Sequence, residues 1–168
     1  MSKWQKHVFT CLIAASVLGS QLASADPQNG MGAYAGLIGA TENSVGSNGL
    51  SLGLDAQFVI NDRWSLNPYM LISAERDINS KNVSDGLVGL PVRRWLGEWF
   101  VGAHVFEHDR VFIDNGRATD SAYGLGAGVL AGVEYSNGWG AEVQTNSEFI
   151  RPGIQRHALR LHLTYRWR

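Results

Sequence analysis

The chain has 168 residues, with 14 lysines and arginines against 15 aspartates and glutamates and a formal charge of −1. That length suits one domain, and the balance lacks the basic excess of a nucleic-acid binder, so no nucleic-acid partner is expected. The single cysteine, Cys11, falls in an apolar N-terminal run, which argues against a disulfide framework, thiol catalysis and cysteine-bound metal.

Lys3 and Lys6 precede an apolar segment from Val8 to Leu18 and the small-residue site Ala23-Ser24-Ala25. This order is that of a cleaved secretory signal peptide over residues 1–25. The remaining domain, 26–168, carries a formal charge of −3 once Lys3 and Lys6 are removed. It contains no apolar stretch near the ~20 residues a membrane helix needs, so a membrane-embedded form has to use strands.

Strand periodicity recurs along that domain. Weak segments at about 31–41, 64–76 and 86–96 accompany clearer ones. Leu50, Leu52, Leu54, Phe58 and Ile60 alternate with Ser51, Gly53, Asp55, Gln57 and Val59. Trp99, Val101, Ala103 and Val105 alternate with Phe100, Gly102, His104 and Phe106, and Tyr123 to Tyr135 alternate with Gly124, Gly126, Gly128, Gly132 and Glu134. A further segment sets Trp139, Ala141 and Val143 against Glu142, Gln144 and Asn146, and the chain closes on Leu159, Leu161, Leu163, Tyr165 and Trp167 against Arg160, His162, Thr164 and Arg166. Eight segments of roughly ten residues predict an all-β fold, an eight-stranded antiparallel up-and-down transmembrane β-barrel.

The connections alternate in length. Tight turns are expected at Asn61-Asp62-Arg63, Gly97-Glu98 and Asn137-Gly138, and polar loops at 42–48, 77–85 and 107–120, with a shorter one at 151–154. Asn-Gly between alternating runs is a strong hairpin signal. Short inner turns and longer outer loops are the asymmetry of membrane barrels. The tryptophans beyond Trp4 all adjoin a tight turn or the C-terminus. Trp64, Trp95, Trp99, Trp139 and Trp167, with Tyr135 and Tyr165, therefore make a belt at the inner interface. A one-residue slip of the closing strand turns Arg160, His162 and Arg166 toward lipid, at ~2 to 4 kcal/mol for an arginine near the midplane. The leucines consequently face lipid.

A barrel of eight strands is filled by its own side chains. The glycines of 124–132 leave room for long neighbours, and the lumen network is expected to comprise Asp55, Glu75, Arg93, Glu134, Glu142, Glu148, Arg160 and Arg166, with Arg160 and Arg166 meeting Glu142 and Glu148. Pro68 and Pro91 each remove a ladder donor, which predicts a bulge at Pro91 and leaves the facing of Arg93, Arg94 and Trp95 open.

The run Gly-Leu-Gly-Ala-Gly-Val-Leu-Ala-Gly-Val-Glu-Tyr-Ser-Asn-Gly-Trp-Gly-Ala-Glu-Val at 124–143, with the terminal Leu-Thr-Tyr-Arg-Trp, resembles the small outer-membrane β-barrel superfamily of the OmpA barrel domain, OmpX, opacity and NspA types. The resemblance spans the domain and is architectural. It implies a bacterial outer-membrane location, contact with membrane lipids and lipopolysaccharide, and recognition by the barrel-assembly machinery through Tyr165 and Trp167, past which Arg168 overhangs. It implies no cofactor.

Within that superfamily, lipid A deacylases of the PagL type carry a His-x-Ser-Asn pattern on the seventh strand. The matching segment here, Val-Gln-Thr-Asn-Ser-Glu-Phe at 143–149, has no histidine, and Ser147 has no evident base to activate it. A non-enzymatic protein is expected, with deacylase and narrow channel as alternatives. The cluster from His104 to Asp109 would share a metal on a helix, but on a strand the two histidines stand ~13 Å apart, too far for one ion. No metal is therefore expected, His104 is placed in the lumen, and His108 opens the outer loop. Val111, Phe112 and Ile113 form either a contact patch for host or envelope proteins or a continuation of the two flanking strands.

Overall fold

The computed structural model describes residues 27–42, 45–77, 82–114, 117–151 and 154–167. The leader assigned to 1–25 and the overhanging Arg168 lie outside the described residues. Nine strand segments follow one another: β1 (Gly30–Glu42), β2 (Val45–Asn61), β3 (Trp64–Leu66), β4 (Tyr69–Asp77), β5 (Asn82–Leu96), β6 (Trp99–Asp114), β7 (Arg117–Glu134), β8 (Trp139–Arg151) and β9 (Ile154–Trp167). β3 and β4 both pair antiparallel with β2 and with β5, the other segments pair antiparallel in chain order, and β9 returns to β1 from Met31↔Trp167 to Glu42↔Arg156. Closure leaves no sheet edge, which is what a strand structure in lipid requires.

β3 and β4 are two halves of one barrel strand. Against β5, Leu66 pairs with Val92 and Tyr69 with Gly89, so Pro68 interrupts the strand without shifting its register. The barrel therefore has eight strands in nine segments. The bulge expected at Pro91 does not occur: β5 and β6 pair without a break from Asn82↔Ile113 to Leu96↔Trp99. The reason lies next door, where the Asn67 amide donates to the Pro91 carbonyl at 2.9 Å. The missing donor of Pro91 thus falls on the gap between β3 and β4, and the far ladder is left intact. Uninterrupted alternation settles the facing of the next residues. Arg93 and Trp95 point inward and Arg94 outward.

The strands are also longer than their sequence patterns. β6 and β7 run to Asp114 and from Arg117, so most of the expected 107–120 loop is ladder. Val111, Phe112 and Ile113 continue β6, half-buried, with the Arg110 guanidinium 5.3 Å from the Phe112 ring centre. Likewise β1 and β2 extend to Glu42 and from Val45, and β5 starts at Asn82, which shortens the expected loops at 42–48 and 77–85. The inner turns are as short as expected. Gly97 and Gly138 adopt φ of 70° and 86°, a conformation that a Cβ disfavours, and Asn61 and Asn137 each accept from the amide two residues on, at 2.9 and 3.1 Å.

Alternation sorts the side chains by chemistry. Leu161 is 50% and Leu163 57% exposed, in a wall shared with Leu50, Leu52, Leu54, Met70, Ile72, Val88, Val105, Leu125 and Val129. The inward face holds Arg93, Arg110, Arg156, Arg160 and Arg166, the buried carboxylates and a few aromatics. This reverses the polarity of a soluble protein and matches a wall bathed in hydrocarbon. Across β6 and β7 four inward pairs join a ring to a glycine: Phe100↔Gly132, His104↔Gly128, Phe106↔Gly126 and His108↔Gly124. A Cβ on Gly126 would stand 2.2 Å from the Phe106 ring, so β7 is glycine-rich because β6 lays its rings across it.

Candidate functional site

The lumen holds two ion clusters stacked along the barrel axis. In the inner one, Arg166 grips Asp55 with both terminal nitrogens, at 3.1 and 2.9 Å, and donates to Glu134 through Nε at 3.0 Å. Arg93, from the opposite wall, donates to Glu142 at 2.6 Å and to the Tyr34 hydroxyl at 2.8 Å, and lies 4.6 Å over the Phe100 ring. Tyr34 in turn donates to Asp55 at 2.6 Å, which links the two arginines through one carboxylate. Gln144 donates to the remaining Glu142 oxygen at 2.6 Å.

In the outer cluster Arg156 is the hub. Its Nη2 donates to both Glu75 oxygens at 2.6 Å, and its Nη1 reaches Asp85 at 3.1 Å and also Glu148. Arg160 donates to Glu148 at 3.2 Å and stands 3.8 Å from Asp85. Between the clusters His104 lies 3.1 Å from the Tyr69 hydroxyl and 2.8 Å from the Asn146 amide. Ions so thoroughly removed from water persist only when paired and hydrogen-bonded, and the two arginine-centred clusters meet that condition for most of their atoms.

The eight residues assigned to the lumen from sequence all face it, but their pairing differs. Arg160 meets Glu148, whereas Arg166 goes to Asp55 and Glu134, and Glu142 goes to Arg93. Arg156, Asp85 and Tyr34 are additions. Their signal was parity: Arg156 stands in step with Arg160, His162 and Arg166, and Asp85 with Leu87 and Arg93. Two placements are corrected. His108 does not open an exposed loop but is 1% exposed in the lumen, because the strand continues past it. Trp95 leaves the interfacial belt and is 4% exposed, its Nε1 donating to Ser65 at 2.9 Å and its ring packed 5.0 Å from Phe100. Trp64, Trp99, Tyr135, Trp139, Tyr165 and Trp167 stay on the outer wall near the inner turns, with Trp139 and Trp167 flanking Tyr165 at 5.0 and 5.5 Å and Arg94 5.9 Å over Trp64.

The outer wall has a second polar feature. Ser147 of β8 and His157 of β9 are direct cross-strand partners, and the serine Oγ lies 3.1 Å from the imidazole Nδ1, exposed on the lipid side. Ser147 thus has a base beside it, supplied by the neighbouring strand. Eight residues of tilted strand place this pair about 20 Å from Trp139, near the outer edge of a ~25 Å apolar band.

No protein-family model matches the sequence, and no curated protein does. Solved structures do resemble it. Neisserial surface protein A superposes with a TM-score of 0.61 at 12% identity over 85% of this chain and 99% of its own. The attachment invasion locus protein Ail of Yersinia pestis gives 0.58 at 11% over 83% and 100%, and the outer-membrane enzyme PagL 0.57 at 12% over 79% and 98%. Identities this low carry the architecture alone, and together with the closed ring, the apolar wall and the ionic lumen they give the chain the fold of the small eight-stranded outer-membrane β-barrels.

Proposed function

We propose that the protein is an integral outer-membrane barrel of a Gram-negative bacterium, exported through a cleaved leader, whose role is structural and interactive rather than conductive. The observation that carries this reading is the filled lumen. Arg93, Arg156, Arg160, Tyr69, Phe100 and Phe106 are buried across its section, and a side-chain plug tied by ion pairs favours rigidity over transport. The outer hairpins, longest at β6 and β7, are then the surface that meets lipopolysaccharide, envelope proteins or host factors. The inner aromatic pair Tyr165 and Trp167 is the part of the last strand offered to the assembly machinery. Fractionation and planar-bilayer recording test this together. Heat-modifiable protein in the outer-membrane fraction with no unitary conductance supports it, and discrete channel openings or recovery from the soluble periplasm would reject it.

A second reading rests on Ser147 and His157. A hydroxyl hydrogen-bonded to an imidazole is the core of an activated nucleophile, and this one faces lipid at the depth where the acyl linkages of outer-leaflet lipids lie. Acyl hydrolysis there predicts a lipid A mass shift on expression that Ser147→Ala and His157→Ala each abolish while the barrel still folds. An unchanged lipid A spectrum excludes it.

A further inference from the structure

The outer lumen cluster contains a group that the ion pairs do not account for. His108 of β6, Asp85 of β5 and Glu148 of β8 converge so that one ligand atom from each lies within 4.8 Å of the other two, and all three residues are buried. Among the described residues, both ring nitrogens of His108 and the Oδ1 of Asp85 have no hydrogen-bond partner. The two orphans face each other: His108 Nδ1 stands 3.8 Å from Asp85 Oδ1, too far for a hydrogen bond. Nε2 is turned against Gly124, where a Cβ would stand 2.5 Å from it. Native interiors rarely leave a buried imidazole and a carboxylate oxygen both without a partner, and a shared ion is one of the few ways to satisfy both.

We infer that His108, Asp85 and Glu148 form a binding site for a divalent transition-metal ion at the outer end of the lumen. Three observations converge on it. One imidazole with two carboxylates is a donor set that suits zinc and its neighbours better than magnesium or calcium, which take oxygen ligands. Bond lengths of about 2.0–2.2 Å put two ligands of a tetrahedral ion about 3.4 Å apart, so the observed 3.8 Å closes with a small movement of side chains. Composition points the same way: among the described residues Glu75, Asp85 and Glu148 form their ion pairs with the guanidinium groups of Arg156 and Arg160, which is one carboxylate more than the guanidinium groups that hold them. Nearby, Arg110 and Glu42 pair with each other and add nothing to that balance.

The arginines are compatible with such an ion. Arg156 and Arg160 take Asp85 through Oδ2, leaving Oδ1 open. On Glu148 each oxygen accepts from one guanidinium and keeps a second lone pair. They would orient the carboxylates as outer partners do in known sites. A spacing argument confined to β6 could not find this set, because the partners of His108 come from β5 and β8. An ion here would tie three strands together at the outer rim.

The test uses untagged, refolded full-length barrel, stripped of metal and titrated with Co²⁺ by visible absorption, then with Zn²⁺ in competition. One ion per chain is expected, with d–d bands of a tetrahedral site. His108→Ala and Asp85→Asn should each weaken binding at least about tenfold, while Asp62→Ala, at an exposed inner turn, leaves it unchanged. Heat-modifiable mobility confirms that each variant folds. Should His108→Ala fail to fold, imidazole ¹⁵N resonances of the wild type report whether zinc shifts His108. Absence of stoichiometric binding, an unmoved His108 resonance, or a folded His108→Ala with undiminished affinity would each overturn the site.

Discussion

Arg156→Ala is the most demanding perturbation of this barrel. The guanidinium contacts Glu75, Asp85 and Glu148 with no solvent access on any of the four side chains. Among the described residues, its removal leaves Glu75 with only Ser47 and Ser73 as hydrogen-bond donors, and leaves Arg160 as the one guanidinium for Asp85 and Glu148. Breaking a buried pair by deleting one partner costs about 3 to 5 kcal/mol, since the abandoned ion stays desolvated. Three carboxylates share the loss here, so the expected cost is at the upper end, a factor of about 10³ or more in the folding equilibrium. The assay is reversible urea unfolding in phospholipid vesicles, with Asp62→Ala as reference, because the Asp62–Arg63 pair is exposed and is worth about 0 to 1 kcal/mol. If Arg156→Ala lowers stability by less than about 1 kcal/mol, the outer cluster does not hold the barrel and the account of its lumen is wrong.

Three further outcomes follow from the same geometry. Leu161→Arg places a charge on the lipid face and should destabilise by about 2 to 4 kcal/mol, whereas Leu161→Phe should change little; equal effects would deny that hydrocarbon meets this wall. Gly126→Val drives a side chain into the Phe106 ring and should abolish heat-modifiable folding, with Phe106→Ala in the same chain restoring part of it; failure of that rescue would show the glycine is needed for another reason. In lipids brominated along the acyl chain, single-tryptophan variants should separate. Emission from Trp139 and Trp167 is quenched, and that from Trp95, enclosed with Ser65 and Phe100, is not; quenching of Trp95 would return it to the belt.

The sequence alone determined the number of strands, their phase and the chemistry of each face, because a β-strand turns successive residues to opposite sides and a one-residue error exposes arginine to lipid. Asp55, Glu142 and Arg166 were assignable to the lumen on parity and charge, whereas the facing of Arg93 beyond Pro91 was settled by the unbroken β5–β6 ladder. Only the closed barrel decided who meets whom inside it. Arg93 reaches Glu142 and Arg156 reaches Glu75 across the lumen, at distances fixed by strand tilt and register, which no single segment encodes. The same holds for Trp95, whose inward turn depends on Pro91 sitting against a gap in the neighbouring strand, and for Ser147, whose base arrives from β9. Local patterning reports the direction in which a side chain leaves its strand; what it touches there is set by the seven other strands that close the ring.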